Sequence, residues 1–353
     1  MDIYICYTLY QLIMASIICQ QRENQEKKLL ILAGENLKQY EKNEALRHLY
    51  DEIVWIDILE CENKKKEYFF SPEKGIEYFL KKKLNKINQV FYYNNHGILE
   101  YLYKYCKQNR WNTIFNLYEE SLSIYRAEEL IKKEVMYLGG RRYKLLNKII
   151  WKYRPSKVPT RVWISNPNLY LGTGKYEVCQ IDSYNATNTI KLFRNIWSDI
   201  RTIEQKYIFL GDVCDIYQDF EWYNNMINEV AEIVGQDNLI YKPHPRAPIK
   251  GLEKNINVYE ENIPWEVYAL TQNMDDKTII CGCSNAGYIP SITFGKRIKT
   301  ISLIKLCKKH YSDQSIKDVF LQTLENVIAK DDDIITITDL IEIKENGGEG
   351  NEY

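Results

Sequence analysis

An α/β fold of two Rossmann-like halves, each a parallel sheet with helices on both faces, is predicted by three observations. Short apolar runs of strand character alternate with stretches of helical spacing along most of the chain, the signature of βαβ units. Residues 154–188, rich in proline, glycine, asparagine and serine, interrupt that alternation, which then restarts. The length of 353 residues suits about two domains. Two such halves predict parallel sheets facing a central cleft, the usual place for an interdomain pocket.

The elements follow in order. Ile3-Tyr4-Ile5-Cys6 is the first β-type run. Thr8 suits the N-cap of a helix on which Leu9, Leu12, Ile13, Ser16 and Ile17 recur at helical spacing. Lys28–Ala33 reads as a buried strand closed by Gly34, residues 41–50 as a helix, and Ile53–Ile56 as a strand. Residues 73–87 have helical spacing, Gln89–Tyr93 strand character, 98–108 helical spacing, and Trp111–Tyr118 forms a strand running into Glu119-Glu120-Ser121. After the irregular connection, a helix near 189–204 leads to strand Lys206–Leu210, closed by Gly211-Asp212. A helix near 220–234 precedes strand 239–242, and further strands are expected at Thr278–Gly282 and Ile298–Ile301. The expected domains are 1–155 and 189–330, joined by 156–188 and followed by an acidic tail, 331–353.

Composition narrows the function. A formal charge of −1 gives no domain-wide excess of base with which to neutralise phosphates, so a dedicated nucleic-acid binder is excluded. The basic runs Lys64–Lys66, Lys81–Lys83, Arg141-Arg142 and Lys308-Lys309 read as solvated helix faces, with attraction to an anionic membrane surface as the alternative. Nine cysteines show no disulfide framework, and Cys281-Gly282-Cys283 lacks zinc or thioredoxin spacing. No metal site is expected. Residues 3–19 lack the basic n-region of a signal peptide, and no run reaches the length of a membrane span, so a cytoplasmic protein is expected.

Four constellations could carry chemistry. Lys242-Pro243-His244-Pro245-Arg246 holds one imidazole between two prolines at a strand's carboxyl end, with a cation on either side. Each proline pushes the residue before it toward extended backbone and removes a donor, so neither helix nor central strand continues through the segment. An imidazolium there can bond a phosphate oxygen and pass its proton to a leaving group. Glu119-Glu120 is a carboxylate pair in which like-charge repulsion favours one proton acceptor near neutral pH; the plain alternative is a solvated acidic turn. Ser284-Asn285-Ala286-Gly287 follows a strand and offers a hydroxyl and backbone N–H groups to an anion, or simply caps a helix. Glu266, two residues after Pro264, suits the dipole of a helix start and equally a ribose diol.

With these in order, the chain resembles bacterial sialyltransferases of GT-B architecture, most closely glycosyltransferase family 52, related to the bacterial polysialyltransferases. Ile5-Cys6-Tyr7-Thr8-Leu9-Tyr10-Gln11-Leu12 is similar to that family's first strand and helix. Leu117–Arg126 resembles its acidic motif, Lys242–Arg246 its His-Pro motif, Pro264–Tyr268 its ribose-binding segment, and Ser284 its phosphate-binding serine. The resemblance implies an inverting transferase moving sialic acid from CMP-sialic acid to a hydroxyl of a galactose-terminated glycan, of lipooligosaccharide or capsule type. It implies catalytic Glu120 and His244, substrate contacts from Glu119, Lys242, Arg246, Glu266 and Ser284, and no cofactor or metal. The acceptor would belong to the first domain and CMP to the second. Tyr118 and Tyr125 are candidate platforms for a sugar ring. A homodimer and peripheral contact with the inner membrane face are compatible with it.

One departure stands out. The family's glycine after the acidic pair is Ser121 here. Glycine takes positive φ without steric cost and serine does not, so either the turn differs or Ser121 is strained. Asp212 or Asp215, after Leu210-Gly211, is therefore the alternative base. The alternative functions are a GT-B enzyme with another nucleotide-sugar donor, a polysialyltransferase, and a non-catalytic relative that binds a nucleotide or glycan.

Overall fold

The computed structural model describes residues 1–22, 26–64, 67–68, 71–93, 97–128, 159–183, 186–198, 200–213, 217, 219–244, 252, 255–261, 263–310, 321–322 and 324–347. Arg141, Arg142, Asp215, Pro245 and Arg246 lie outside the described residues. The chain forms two compact units, Met1–Asn185 and Ala186–Tyr353.

In the first unit, β1 (Asp2–Cys6), β2 (Lys28–Leu32), β3 (Glu52–Trp55), β4 (Gln89–Tyr92), β5 (Ile114–Tyr118), β6 (Arg161–Ile164) and β7 (Glu177–Gln180) form a seven-stranded sheet. Its order is β3-β2-β1-β4-β5-β6-β7, and each neighbouring pair is parallel. In the second, β8 (Tyr207–Leu210), β9 (Leu239–Lys242), β10 (Asn257–Val258), β11 (Thr278–Cys281), β12 (Lys299–Ser302) and β13 (Ile334–Thr336) form a six-stranded parallel sheet in the order β10-β9-β8-β11-β12-β13. Counted from its own first strand, each sheet begins 3-2-1-4-5-6. That is the Rossmann order, which reverses between the first and fourth strands and leaves a ligand-binding crevice at their carboxyl ends. The switch lies between β1 and β4 in one unit and between β8 and β11 in the other.

The central strands are covered on both faces, which is why they read as unbroken apolar runs. β1, β8 and β11 are buried along their whole lengths. The Tyr4 ring stacks on Phe91 at 4.6 Å between centroids. Thr8 caps the helix Leu9–Gln21, its Oγ1 accepting from the Gln11 N–H at 3.2 Å.

The structure departs from the sequence reading where strands are short. β6 and β7 lie inside the stretch read as irregular connection, and they extend the first sheet beyond β5. Residues 41–50 form two short pieces, a 3-10 turn ending at Lys42 and the helix Glu44–Arg47, in place of one helix. β13 falls inside the stretch read as acidic tail. No helix among the described residues is long and apolar enough to cross a membrane.

Candidate active site

The carboxyl edge of the second sheet gathers most of the expected residues. Leu210 is in register with both Lys242 of β9 and Cys281 of β11, so those three strands end side by side. Gly211-Asp212, Pro243-His244 and Gly282-Cys283-Ser284 consequently leave the sheet together at its switch. The Gly211 N–H donates to the Lys242 carbonyl at 2.9 Å. A β-carbon on Gly211 would come within 3.1 Å of the His244 backbone nitrogen, so the two segments pack too closely for a side chain there.

Lys242 and Glu266 are an opposed pair in low dielectric. Burial lowers the Lys242 ammonium below its ordinary pKa, while Glu266 and Glu261 draw it back up. Its Nζ also lies 5.0 Å from the centroid of the Tyr259 ring, a cation–π distance. Glu266 occupies the first turn of the helix Trp265–Thr271 and is 9% exposed. Burial raises its carboxyl, and its own backbone N–H and then Lys242 hold it down. His244 and Ser284 are half-buried. Ser284 has φ −65° and ψ 124°, and its hydroxyl makes no capping bond to the 3-10 turn Asn285–Gly287 that follows.

Asp212 is placed differently, at 1% exposure. The Cys283 N–H donates to both its oxygens, at 3.1 Å to Oδ1 and 2.9 Å to Oδ2. The Tyr217 hydroxyl donates to Oδ2. The Asp212 N–H in turn donates to the Tyr223 hydroxyl at 2.8 Å. Burial pushes the carboxyl up to about 6, against the Cys283 N–H, the Tyr217 hydroxyl and the Ser284 N–H, which favour the anion. A β-carbon on Gly282 would collide with Oδ2 and lie 2.9 Å from Cys307 Sγ, so this approach requires glycine. Asp212, Cys283 and Cys307 have potential ligand atoms within 4.8 Å of one another. The donors already on both carboxylate oxygens make the cluster a hydrogen-bonded turn.

In the first unit, β5 ends at the acidic pair. Glu119 is 0% exposed. Its Oε2 accepts from the Ser165 N–H at 2.7 Å and the Tyr125 hydroxyl at 3.3 Å, and its Oε1 from the Tyr10 hydroxyl at 3.3 Å. These bonds tie the ends of β5 and β6 to the first helix. Glu120 is half-buried. One carboxylate of the pair is therefore sequestered and its neighbour is not. Ser121 has φ −159° and ψ 168°, ordinary extended backbone. The turn therefore differs from one that needs glycine, and the serine carries no strain. Tyr118 and Tyr125 are 0% exposed. Tyr118 donates to the Ile5 carbonyl at 2.7 Å and Tyr125 to Glu119, so both are internal supports and not sugar platforms.

Sequence reasoning passed over Tyr217, Tyr223, Cys283 and Ser165. Their roles arise from tertiary hydrogen bonds for which the sequence carries no periodic signal.

No family model matches the sequence, and no curated protein is similar to it. Solved structures do resemble it in fold. The UDP-GlcNAc 2-epimerase from Methanocaldococcus jannaschii superimposes with a TM-score of 0.56 at 13% identity, over 98% of this chain and 91% of that one. Phytolacca americana UGT2, complexed with UDP-2fluoro-glucose and pterostilbene, gives 0.52 at 9% identity, over 98% and 90%. The glycotransferase of kitacinnamycin gives 0.52 at 8% identity, over 96% and 85%. The likeness shows the fold: the chain has the GT-B architecture of two Rossmann-like domains.

Proposed function

We propose that the protein is a glycosyltransferase that moves sialic acid from CMP-sialic acid to a hydroxyl of a galactose-terminated glycan, with inversion. The observation that carries the reading is the crowded carboxyl edge at the β8/β11 switch. There a cation (Lys242), a proline-bound imidazole (His244), a hydroxyl not used for capping (Ser284) and a desolvated carboxylate (Glu266) stand on neighbouring elements. Rossmann sheets bind nucleotides at that position. Glu266 would take the ribose diol, Ser284 and Lys242 the single phosphate, and His244 the charge that develops as CMP departs. Arg246 would assist at the phosphate, and Glu120 would accept the proton of the attacking hydroxyl. Fixed donors of this kind can stabilise a departing monophosphate, and holding the donor in place supplies much of the rate. The choice of CMP-sialic acid over another nucleotide sugar rests on the resemblance of the motif order Glu119-Glu120, Lys242–Arg246, Glu266, Ser284 to that of glycosyltransferase family 52.

The test is a donor screen. Purified full-length protein is incubated with CMP-sialic acid, UDP-sugars and GDP-sugars, with and without a galactoside, and nucleotide release and glycan product are measured. CMP release with a sialylated product supports the reading. Turnover of a UDP-sugar in preference to CMP-sialic acid would sink it.

A further inference from the structure

Asp212, the alternative base of the sequence reading, stands at the switch of the second sheet, yet none of the roles in the proposed function uses it. We infer that Asp212 is a positioning residue that clamps the Gly282–Ser284 turn onto the end of β8 and so fixes where the Ser284 hydroxyl meets the phosphate of a bound nucleotide. This rests on the nucleotide-binding part of the proposed function.

The geometry argues for a clamp and against a proton acceptor. A general base must come within hydrogen-bond reach of the hydroxyl it deprotonates. Asp212 is 1% exposed, and the Cys283 N–H and Tyr217 hydroxyl donate to its oxygens. Those donors come from two directions: Cys283 from the loop after β11, and Tyr217 from the segment after β8. The Asp212 N–H is itself held by Tyr223 on the helix Phe220–Val234. The carboxylate thus joins the loop after β11 to the segment after β8, and the Asp212 N–H adds the helix Phe220–Val234 to the same junction. Glycine at 282 is what lets the turn approach closely enough, because a β-carbon would occupy the place of Oδ2. A buried anion needs its hydrogen bonds, so the interaction also runs the other way: the turn keeps Asp212 in place. Ser284, the next residue along the clamped turn, is half-buried and makes no side-chain capping bond. Its orientation follows from Asp212 while its hydroxyl is left for a ligand.

The experiment compares the wild-type chain with Asp212→Asn and Tyr217→Phe. Binding of CMP, UDP and GDP is measured by calorimetry, and steady-state kinetics are run with the donor that turns over. Asparagine presents an amide N–H where the Cys283 N–H or Tyr217 hydroxyl needs an acceptor. Asp212→Asn should therefore weaken nucleotide affinity and raise donor KM by about tenfold or more, with kcat at saturating donor little changed. Tyr217→Phe removes one donor and leaves the turn in place, so its effect should run the same way and be smaller. It also keeps the question decidable if Asp212→Asn does not fold. A mutant cycle adds a readout that general destabilisation would not move: once Asp212 is asparagine, Ser284→Ala should cost little further affinity. The inference is overturned if Asp212→Asn collapses kcat with KM unchanged, which would make Asp212 the base. It is equally overturned if affinity is unchanged in both variants, or if the Asp212 and Ser284 losses simply add. Binding of UDP or GDP but not CMP overturns the donor assignment alone, and the same comparison is then made with that nucleotide. A wild-type chain that binds none of the three overturns both.

Discussion

Each sheet ends in a buried carboxylate, and the two are used in the same way at different places. Glu119, at the end of β5, binds the Ser165 N–H beyond neighbouring β6, with tyrosine hydroxyls completing its shell. Asp212, at the end of β8, binds the Cys283 N–H beyond neighbouring β11, again with a tyrosine hydroxyl. In both, a less buried reactive group is adjacent in sequence to a clamped residue: Glu120 beside Glu119, and Ser284 beside Cys283. The difference is topological. Asp212 sits at the β8/β11 switch, where a Rossmann sheet opens a crevice, whereas the β5–β6 pair lies outside the corresponding β1/β4 switch. A buried acid at a strand end thus ties neighbouring strand ends together in both units, and the proposed chemistry falls to the residues beside it.

The sharpest way to break that comparison is to separate the neighbours from the frames. His244→Ala should lower turnover by about 10²-fold or more, as loss of a general acid does. The loss of turnover should far exceed any shift of the unfolding midpoint in a thermal melt, because the imidazole is only half-buried. Glu120→Gln should likewise cost about 10²-fold or more in turnover, and should flatten the acid limb of the pH–rate profile. Glu119→Gln should show the opposite pattern. It leaves a buried donor facing an amide N–H, for about 1–3 kcal/mol of stability, readable as a lower denaturation midpoint. If Glu119→Gln abolished turnover without loss of stability, the division into frame and neighbour would fail in the first unit.

The Asp212 frame makes a prediction with a definite sign. Burial pushes its pKa up to about 6 in the folded protein, above the ordinary value of 3.8. A raised carboxyl contributes stability that is fully present below the unfolded pKa and is lost as pH rises through the folded one. Wild-type stability relative to Asp212→Asn should therefore fall between about pH 4 and pH 7, by about 3 kcal/mol at most. Tyr217, Tyr223, Cys281, Cys283 and Cys307 surround the carboxyl; among these described residues only Asp212 carries a carboxyl, so it dominates the window. Denaturant melts of both proteins across that range would check it. Parallel curves would remove Asp212 as the titrating group.

What the sequence conveyed follows the same division. Central strands are buried on two faces, so Ile3–Cys6, Leu29–Leu32 and Thr278–Cys281 were legible as apolar runs. β7 has exposed residues at both ends and two half-buried ones between, with no apolar run, and Arg161 of β6 pairs with Glu177 of β7 at 2.9 Å, so both read as loop. His244, Ser284 and Glu266 were legible because strand ends and helix starts are marked locally by proline and glycine. The frames were not. Asp212 and Cys283 are 71 residues apart, and Glu119 and Ser165 are 46 apart, and such bonds leave no pattern within a window of sequence.

Ser121 gives the finest test, since it tells whether the acidic turn is built as the resemblance supposes. Its φ of −159° lies in extended backbone open to any residue, so glycine would gain nothing in the folded state. Glycine would still add freedom to the unfolded chain, and it would remove the Ser121 hydroxyl from its 2.6 Å contact with Ser123. Ser121→Gly should therefore cost about 0.5–1 kcal/mol, measured by denaturant titration, with turnover unchanged. Increased stability or faster turnover would mean that the serine holds the Glu120 turn away from its working shape. The first-unit edge would then be a strained variant of the glycine turn and no longer a counterpart of the relaxed Asp212 frame.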